Sequence, residues 1–184
     1  AEVVVEIFRR CSEGFGQTRI AKALNESGVP SPCAQQGRPT AWAASSVRAV
    51  LYRDLYRGEI VWNKTRKRDA WGQRRHQPRP ESEWLRVAAP KLRIVSEEQW
   101  VAAHARLKAT RTSYLRSTDG RLWGRPPSGL AAKYLLTGMA RCGICGGSLE
   151  VRSRSHGTRR AFFYSCSSFY RRGKSVCPNK IEIP

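Results

Sequence analysis

The stretch from Arg141 to Pro178, RCGICGGSLEVRSRSHGTRRAFFYSCSSFYRRGKSVCP, holds four cysteines at metal-site spacing. Cys142 and Cys145 form a C-x2-C pair, and Cys166 and Cys177 follow after gaps of 20 and 10 residues. A tetrahedral zinc site needs thiolates from two loops, and a C-x2-C pair followed by glycines is typical of one such loop. Because four cysteines fill the coordination shell, the pattern predicts one structural Zn²⁺ ion with no open position for substrate.

Two alternatives to a metal site stay open, namely a pair of disulfides and a group of buried free thiols. The sequence shows no signal peptide, which favours a reducing cytoplasm, where clustered cysteines bind metal more often than they form disulfides. Cys11 and Cys33 lie far from the cluster and are expected to fill the core. His156 is expected to occupy a turn rather than to bind the metal.

The chain is strongly basic, with 34 Lys and Arg against 14 Asp and Glu and a net charge of +20 over 184 residues. A surface of that charge repels itself unless a polyanion compensates it, so nucleic acid is the expected partner. Codon usage in a GC-rich genome is an alternative explanation for the abundance of arginine. No apolar run approaches the length of a membrane span.

Residues 2–13, 17–27 and 43–52 are predicted to form three short helices, since each carries apolar residues on one stripe. Gly28 stands where the second helix should end. Three such helices are consistent with a helix-turn-helix variant or with an ordinary helical bundle. The predicted core of this part comprises Val4, Ile7, Phe8, Ile20, Leu24, Trp42, Val47, Leu51, Ile60, Trp62 and Trp100.

Short strands and a fourth helix are predicted after the third helix. Residues 58–63 alternate in polarity, and residues 84–87 and 92–95 are candidates for two further strands. Ser96-Glu97-Glu98-Gln99 is a capping box. The helix that this box opens is expected to end near Lys108.

A basic stretch from Lys64 to Arg75 lies between these strands, with six basic residues and one acid. It lacks apolar periodicity, which indicates a loop or a hairpin tip. Phosphate contact is the functional interpretation, and a solvated charged loop is the alternative. The basic residues are Lys64, Arg66, Lys67, Arg68, Arg74 and Arg75.

The composition changes at residues 109–132 to Thr, Ser, Arg, Gly and Pro, which is typical of a linker. We therefore predict two domains, residues 1–108 and residues 133–184, and an α+β fold overall. In the second domain, residues 148–154 and 159–166 are expected to form a hairpin.

Arginines cluster around this hairpin and in the second cysteine loop. A two-stranded ribbon fits the major groove of DNA, and arginines on it can reach base edges. The residues predicted to contact nucleic acid here are Arg152, Arg154, Arg159, Arg160, Arg171, Arg172 and Lys174.

Four segments together resemble the large serine recombinases, the integrases of phages and transposons. These are GFGQTRIAKALNESGVPSP (14–32), TAWAASSVRAVLYRDLYRGEIVWN (40–63), LRIVSEEQWVAAHARL (92–107) and YLLTGMARCGICGGSLEV (134–151). The resemblance implies a recombinase domain over residues 1–108, followed by a recombinase zinc ribbon. Two departures from the family pattern are Arg53-Asp54 in place of Asn-Pro and Ala43 in place of Ser or Thr.

The resemblance also implies a function in DNA integration and excision, and with it a cytoplasmic, nucleoid-associated location in a bacterial or phage-infected cell. In that family the nucleophilic serine lies in a separate catalytic domain, and a coiled coil pairs subunits, so we expect a non-catalytic DNA-binding fragment of an integrase that works with other integrase subunits. The recombinase domain would grip an attachment site in duplex DNA, with the zinc ribbon further out. In the third helix and just after it, the resemblance favours Ser45, Ser46, Arg48 and Arg53 as DNA contacts.

Two other functions are weighed against DNA binding. Basic zinc ribbons also occur in RNA-binding modules, which is the principal alternative. A nuclease would need a carboxylate cluster for a catalytic metal, and the 14 acids are scattered, with Glu150 and Glu182 the acids of the second domain.

Overall fold

Helices and short strands alternate along the chain. The computed structural model describes residues 1–32, 40–68, 71–117, 134–136 and 138–184, apart from the side chains of residues 75, 76, 116, 117 and 156. The helices are α1 (Glu2–Ser12), α2 (Gln17–Glu26), α3 (Ala44–Leu51), α4 (Glu97–Ser117) and α5 (Ser167–Arg172). The strands are β1 (Glu59–Trp62), β2 (Thr65–Arg68), β3 (Arg74–Pro78), β4 (Leu85–Ala88), β5 (Leu149–His156), β6 (Arg159–Cys166) and β7 (Glu182–Ile183). This mixture confirms the α+β class.

The described chain divides into two compact units. Unit 1 comprises Ala1–Gly14 and Ala49–Ala109, and unit 2 comprises Phe15–Arg48 and Thr110–Pro184. The domains predicted from the sequence instead follow chain order, so the two divisions place α2 differently. The domains predicted from the sequence stay a prediction. Hydrogen exchange can test which of the two divisions corresponds to independently folding parts of the chain.

Helix α4 is longer than the sequence suggested. It continues to Ser117, so the expected end near Lys108 is wrong and residues 109–117 of the predicted linker are helical. Residues 118–133, including the rest of that linker, lie outside the described residues.

At the start of α4, the Ser96 hydroxyl accepts a hydrogen bond from the Gln99 amide, and the Gln99 side-chain oxygen accepts one from the Ser96 amide, both 3.3 Å. This reciprocal pair is the predicted capping box.

The core of unit 1 is built on aromatic stacking between α1 and α4. Phe8 stacks on Trp100 at 5.5 Å between ring centroids, and Trp100 stacks on His104 at 4.2 Å. The buried hydrophobic residues of this unit are Ile7, Phe8, Cys11, Val50, Leu51, Val95, Trp100 and Ala103. Val95 belongs to a segment predicted as a strand, residues 92–95. That prediction is wrong, since a 3₁₀ turn at Pro90–Leu92 precedes an irregular approach to α4.

Strands β1 and β4 form a two-stranded antiparallel sheet with an exposed apolar face. The register pairs Ile60 with Val87 and Trp62 with Leu85, which puts all four side chains on one side. They are 44–66% exposed. Ile60 and Trp62 are therefore not core residues, contrary to the prediction. The alternation correctly predicts a strand, but the described chain leaves that side of the sheet largely exposed.

Unit 2 is organised around Asn25 and Trp42. Helix α2 ends as predicted at Gly28, which has φ +68°, and the Val29 amide donates to the Leu24 carbonyl at 3.1 Å. Trp42 is 3% exposed, and its backbone amide donates to the Asn25 side-chain oxygen at 2.7 Å. The Asn25 amide group donates in turn to the Trp42 and Arg172 carbonyls at 3.1 and 2.8 Å. One asparagine therefore ties α2 to the C-terminal end of α5.

The ribbon of unit 2 is the three-stranded sheet β5–β6–β7, all antiparallel. Gly157, with φ +58°, makes the turn between β5 and β6. The second cysteine segment was predicted as a loop, but α5 occupies residues 167–172 of it, which accounts for the wide spacing between its two cysteines. Among the described helices, none has the length and apolar character needed to cross a membrane.

Candidate metal centre and nucleic-acid interface

The four predicted metal ligands converge. The sulfur atoms of Cys142, Cys145, Cys166 and Cys177 all lie within 4.8 Å of one another. Individual separations are 3.9 Å between residues 142 and 177, 3.6 Å between 145 and 166, and 3.7 Å between 166 and 177. Four sulfurs about 2.3 Å from one zinc ion lie about 3.8 Å apart. The cluster therefore fits a single tetrahedral Zn²⁺, and the disulfide alternative does not fit these separations.

Glycines shape the first cysteine loop. The Gly146 amide donates to the Cys142 carbonyl and the Cys142 amide donates to the Gly147 carbonyl, both at 2.8 Å. Gly146 has φ +66°, a backbone conformation that favours glycine. The Gly147 amide lies 3.4 Å from the Cys145 sulfur and donates to it. Such N–H groups stabilise thiolates and hold the ligand orientation.

The electrostatic environment differs among the four thiols. A hydrogen bond from the Asn179 side chain to the Cys142 sulfur, at 3.2 Å, is the main cause that lowers the pKa of Cys142 to about 6. Burial raises the pKa of Cys177 to about 12 and also raises that of Cys166. For Cys145, burial acts to raise the pKa, but hydrogen bonds from the Gly147 amide and the Ser168 hydroxyl outweigh it and lower the pKa. Metal binding must displace the protons held by the buried pair.

Cys145 is the solvent-facing ligand of the cluster. It is exposed, whereas the other three cysteines are 0–3% exposed. It opens into a cleft of about 1020 Å³ in unit 2, which is also lined by the first residues of α3 and by Arg171 and Arg172.

The predicted contacts in and after α3 differ in exposure. Ser45 and Arg48 are exposed, and Ser46 is half-buried. Arg53 is exposed and its guanidinium lies 5.8 Å from the centre of the Tyr56 ring. Whether these residues touch DNA stays a prediction, as does the helix-turn-helix arrangement, because residues 33–39 before α3 lie outside the described residues.

The basic stretch between β1 and β4 forms a hairpin, one of the two predicted forms. Strands β2 and β3 pair from Thr65–Pro78 to Arg68–Arg74. Arg66, Lys67, Arg68 and Arg74 are exposed, whereas Lys64 forms an ion pair with Asp54. The side chain of Arg75 is outside the described set. The exposed members give this hairpin a basic surface.

Three of the four predicted hairpin arginines of the ribbon share one side of the sheet. Arg152, Arg154 and residue 156 pair with Phe163, Ala161 and Arg159, and opposite residues in an antiparallel pair point to the same side. We call the side that carries Arg152, Arg154 and Arg159 the arginine face. Arg160 pairs with Ser155 and points to the other side.

Several ribbon cations have partners within the protein. Arg154 pairs with Glu182 at 2.9 Å, and Arg171 pairs with Glu150. The Arg152 guanidinium lies 3.7 Å above the centre of the Tyr170 ring. Arg172 is half-buried and Lys174 is exposed.

Sequence reasoning did not identify Asn179, Glu150 or Glu182 as participants in these sites. Asn179 lies two residues after Cys177 but bonds to Cys142, so nothing local indicates its partner. The alternation of β5 does place Glu150 on the side of Arg152 and Arg154. Glu182 becomes recognisable only when β7 is paired with β6.

Two family models match the chain. The model described as "Recombinase" matches residues 1–110, and the model described as "Recombinase zinc beta ribbon domain" matches residues 135–184. The first covers more than half of the chain.

The comparisons with individual proteins are more distant. A Bacillus subtilis (strain 168) protein named "Putative DNA recombinase" is 26% identical over 181 residues, which is 91% of this chain and 33% of that protein. A crystal structure of an LSR–DNA complex is 16% identical, with a TM-score of 0.38, and the match covers 91% of this chain and 42% of that one. This chain therefore spans about a third of the length of its curated relative.

Proposed function

We propose that this chain, which belongs to the recombinase family, is the DNA-binding part of a large serine site-specific recombinase. The observation that carries the proposal is the succession of the recombinase and recombinase zinc-ribbon models along one chain. The attachment sites of an integrating element, such as a phage, are the proposed substrate, and other integrase subunits are the proposed partners. The proposed activity of the whole protein is site-specific DNA recombination.

The distribution of charge supports duplex DNA as the ligand. The net charge is +20, and both the β2–β3 hairpin and the ribbon carry several exposed cations. A basic two-stranded ribbon has the dimensions to enter the major groove of B-form DNA. The major groove of A-form RNA is too narrow for such an entry, so we favour duplex DNA over the RNA alternative.

The zinc ion has a structural role in this proposal. The cysteines at 142, 145, 166 and 177 would hold it, and a full shell of four thiolates leaves no coordination site for a reacting group. When bound, the ion supplies folding free energy to the ribbon. We assign no catalytic residue, and strand exchange belongs to a catalytic serine domain, as the family resemblance implies.

The test is competition between nucleic acids at matched salt. A labelled duplex bound to the purified chain is challenged with unlabelled duplex DNA or with structured RNA of equal length. We expect the DNA to compete more strongly, and we expect no strand cleavage during long incubation. Equal or stronger competition by RNA would contradict the proposal, and so would cleavage that copurifies with the chain through successive columns.

A further inference from the structure

Both carboxylates of the ribbon lie on the arginine face. Glu150 pairs with Ser165 in β6, and Ser165 pairs with Glu182 in β7, so these residues share a side with Arg152 and Arg154. After residue 109 the sequence has only three acids, Asp119, Glu150 and Glu182. In so basic a segment, two of the three acids stand directly beside the arginines.

Glu182 is fixed by a neighbour that is not a cation. One of its carboxylate oxygens accepts a hydrogen bond from the Tyr170 hydroxyl at 2.6 Å and another from Arg154 at 2.9 Å. The Glu182 bond is the main cause that raises the pKa of Tyr170, so the phenol stays a donor. The Tyr170 ring also supports Arg152, whose guanidinium lies 3.7 Å above its centre. Tyr170 and Glu182 together therefore support the side chains of Arg152 and Arg154.

The exposures show which partner is presented outward. The Arg154 side chain is 60% exposed and the Glu182 side chain is 14% exposed. The Glu182 carboxylate is therefore largely buried, while much of the Arg154 side chain remains accessible. A surface ion pair adds little to stability, so stability is a weak reason to keep an acid here. Restricting the arginine to one orientation is a stronger one, because bidentate recognition depends on the direction of the guanidinium fork.

We propose that Glu182 is a positioning residue that orients Arg154 toward a guanine edge, which makes Arg154 a specificity-determining residue of the ribbon. The inference rests on the proposed DNA binding. Guanine offers two acceptors in the major groove, and an arginine that donates to both is the commonest specific contact.

Arg160 provides the contrast within the same hairpin. It points to the opposite side of the sheet, it is exposed, and it has no ion-pair partner in the described part of the chain. An arginine without such support is suited to phosphate contact, which needs charge more than a fixed orientation. Arg154 and Arg160 are therefore a matched pair.

The experiment measures specific and non-specific affinity separately. The preferred sequence is first selected from a random duplex library with the full 184-residue chain. Kd is then measured on that sequence and on a scrambled duplex at one salt concentration. The variants are Glu182→Gln, Arg154→Lys, Arg160→Lys and Glu150→Gln. Bound zinc and the thermal melting curve establish that each variant is folded.

For Glu182→Gln we expect non-specific affinity to be unchanged or raised, because a negative charge is removed. The ratio of specific to non-specific affinity should fall about fivefold or more, since a bidentate base contact contributes roughly 1–3 kcal/mol of discrimination. The glutamine oxygen can still accept from Tyr170, so folding should be kept, but it carries no negative charge to hold the Arg154 guanidinium. Arg154→Lys should lower the ratio in the same way, because lysine keeps the charge but loses the fork. Arg160→Lys should leave the ratio unchanged.

Other outcomes would overturn the inference. If Glu182→Gln and Glu150→Gln change the ratio equally, the carboxylates act only through their charge. An unchanged ratio in Arg154→Lys would show that Arg154 does not read a base, and selection that enriches no sequence would do the same. These results would leave DNA binding intact, whereas a wild-type chain that fails to bind duplex DNA would contradict the proposed function itself.

Discussion

Gly147 has the least room for a side chain among the described glycines. A Cβ atom there would lie 2.8 Å from the Ser168 hydroxyl and 3.2 Å from the Cys145 sulfur. Both distances are shorter than van der Waals contact, and a metal-bound sulfur cannot move away freely. We therefore expect Gly147→Ala to destabilise the metal-bound ribbon by about 1–3 kcal/mol and to weaken zinc binding.

Gly143 in the same loop is the control for this substitution. A Cβ atom at Gly143 meets nothing within 4 Å, and its φ lies outside the left-handed region. Gly143→Ala should therefore be close to neutral. Zinc affinity, measured by competition with a chromophoric chelator, compares the two variants. Similar losses in both would show that crowding at residue 147 is not the cause.

Glu6 connects the stability of α1 to pH. It accepts hydrogen bonds from Arg9 and Arg10, and these bonds, that of Arg9 first, lower its pKa from 4.5 to about 2. A carboxylate with a lowered pKa stabilises the folded state fully above pH 4.5, and this contribution is lost as the pH falls toward 2. Because its side chain is 31% exposed, solvent screening limits the contribution to about 1 kcal/mol.

The Glu6→Gln variant tests this contribution. We expect it to melt below the wild type at pH 6, because it lacks the charged hydrogen bonds. The difference should shrink as the pH falls below 4.5 and vanish only below pH 2, where Glu6 becomes fully protonated in the folded state. Melting curves over this range provide the measurement. A difference that is independent of pH would mean that the loss comes from packing rather than from charge.

At the scale of elements, we expect the strands and the helix of the ribbon to depend on the metal. The ribbon has few large buried apolar side chains, since its buried cluster consists of three cysteines flanked by Leu149 and Phe169. A core of that size needs a metal to be stable. Unit 1 has its own aromatic core, and no described ligand of the cluster belongs to it.

We expect chelation to remove amide-exchange protection from β5, β6, β7 and α5 and to leave it in α1 and α4. Helix α2 is the informative element. Its Asn25 donates to the Arg172 carbonyl, so α2 should lose part of its protection if unit 2 folds as one body. Full protection of α2 would instead favour the sequence-predicted domains. Protection retained throughout β5 and β6 would contradict a structural metal.

Local signals predicted much of the secondary structure. The Ser96–Gln99 capping box and the helix stop at Gly28 depend on neighbouring residues, and both have the geometry that their sequence indicates. The end of α4 was misjudged because Thr110, Thr112 and Ser113 resemble a linker. Arginine, alanine and leucine around them are good helix formers, and no glycine or proline interrupts the helix before its end.

The features that could not be predicted from the sequence depend on contacts between residues far apart in the chain. The four cysteines were recognisable from their spacing, but the hydrogen bond from Asn179 to Cys142 spans 37 residues. The support of Arg154 by Glu182 requires the register of β7 on β6. Ile60 and Trp62 were assigned to the core because alternation usually marks a buried face, and a two-stranded sheet need not bury one.

At the scale of the molecule, the charge of +20 should make nucleic-acid binding depend steeply on salt. Each phosphate neutralised contributes a slope of roughly −0.9 to log K against log salt concentration. If six to ten phosphates are contacted, raising the salt from about 50 to about 200 mM should weaken binding roughly 10³- to 10⁵-fold. Fluorescence anisotropy with a scrambled duplex measures the slope. A nearly flat response would indicate that the cations do not meet phosphates.

The apolar face of the β1–β4 sheet changes how this molecule behaves alone in solution. Ile60, Trp62, Leu85 and Val87 are 44–66% exposed in the described part of the chain, so we expect mutual repulsion of the cations to keep free copies apart. Salt shortens the range of that repulsion from about 10 Å at 0.1 M to about 3 Å at 1 M. The high salt that strips nucleic acid during purification therefore also removes the colloidal protection of the chain. Precipitation should begin in that step, and a soluble polyanion should prevent it.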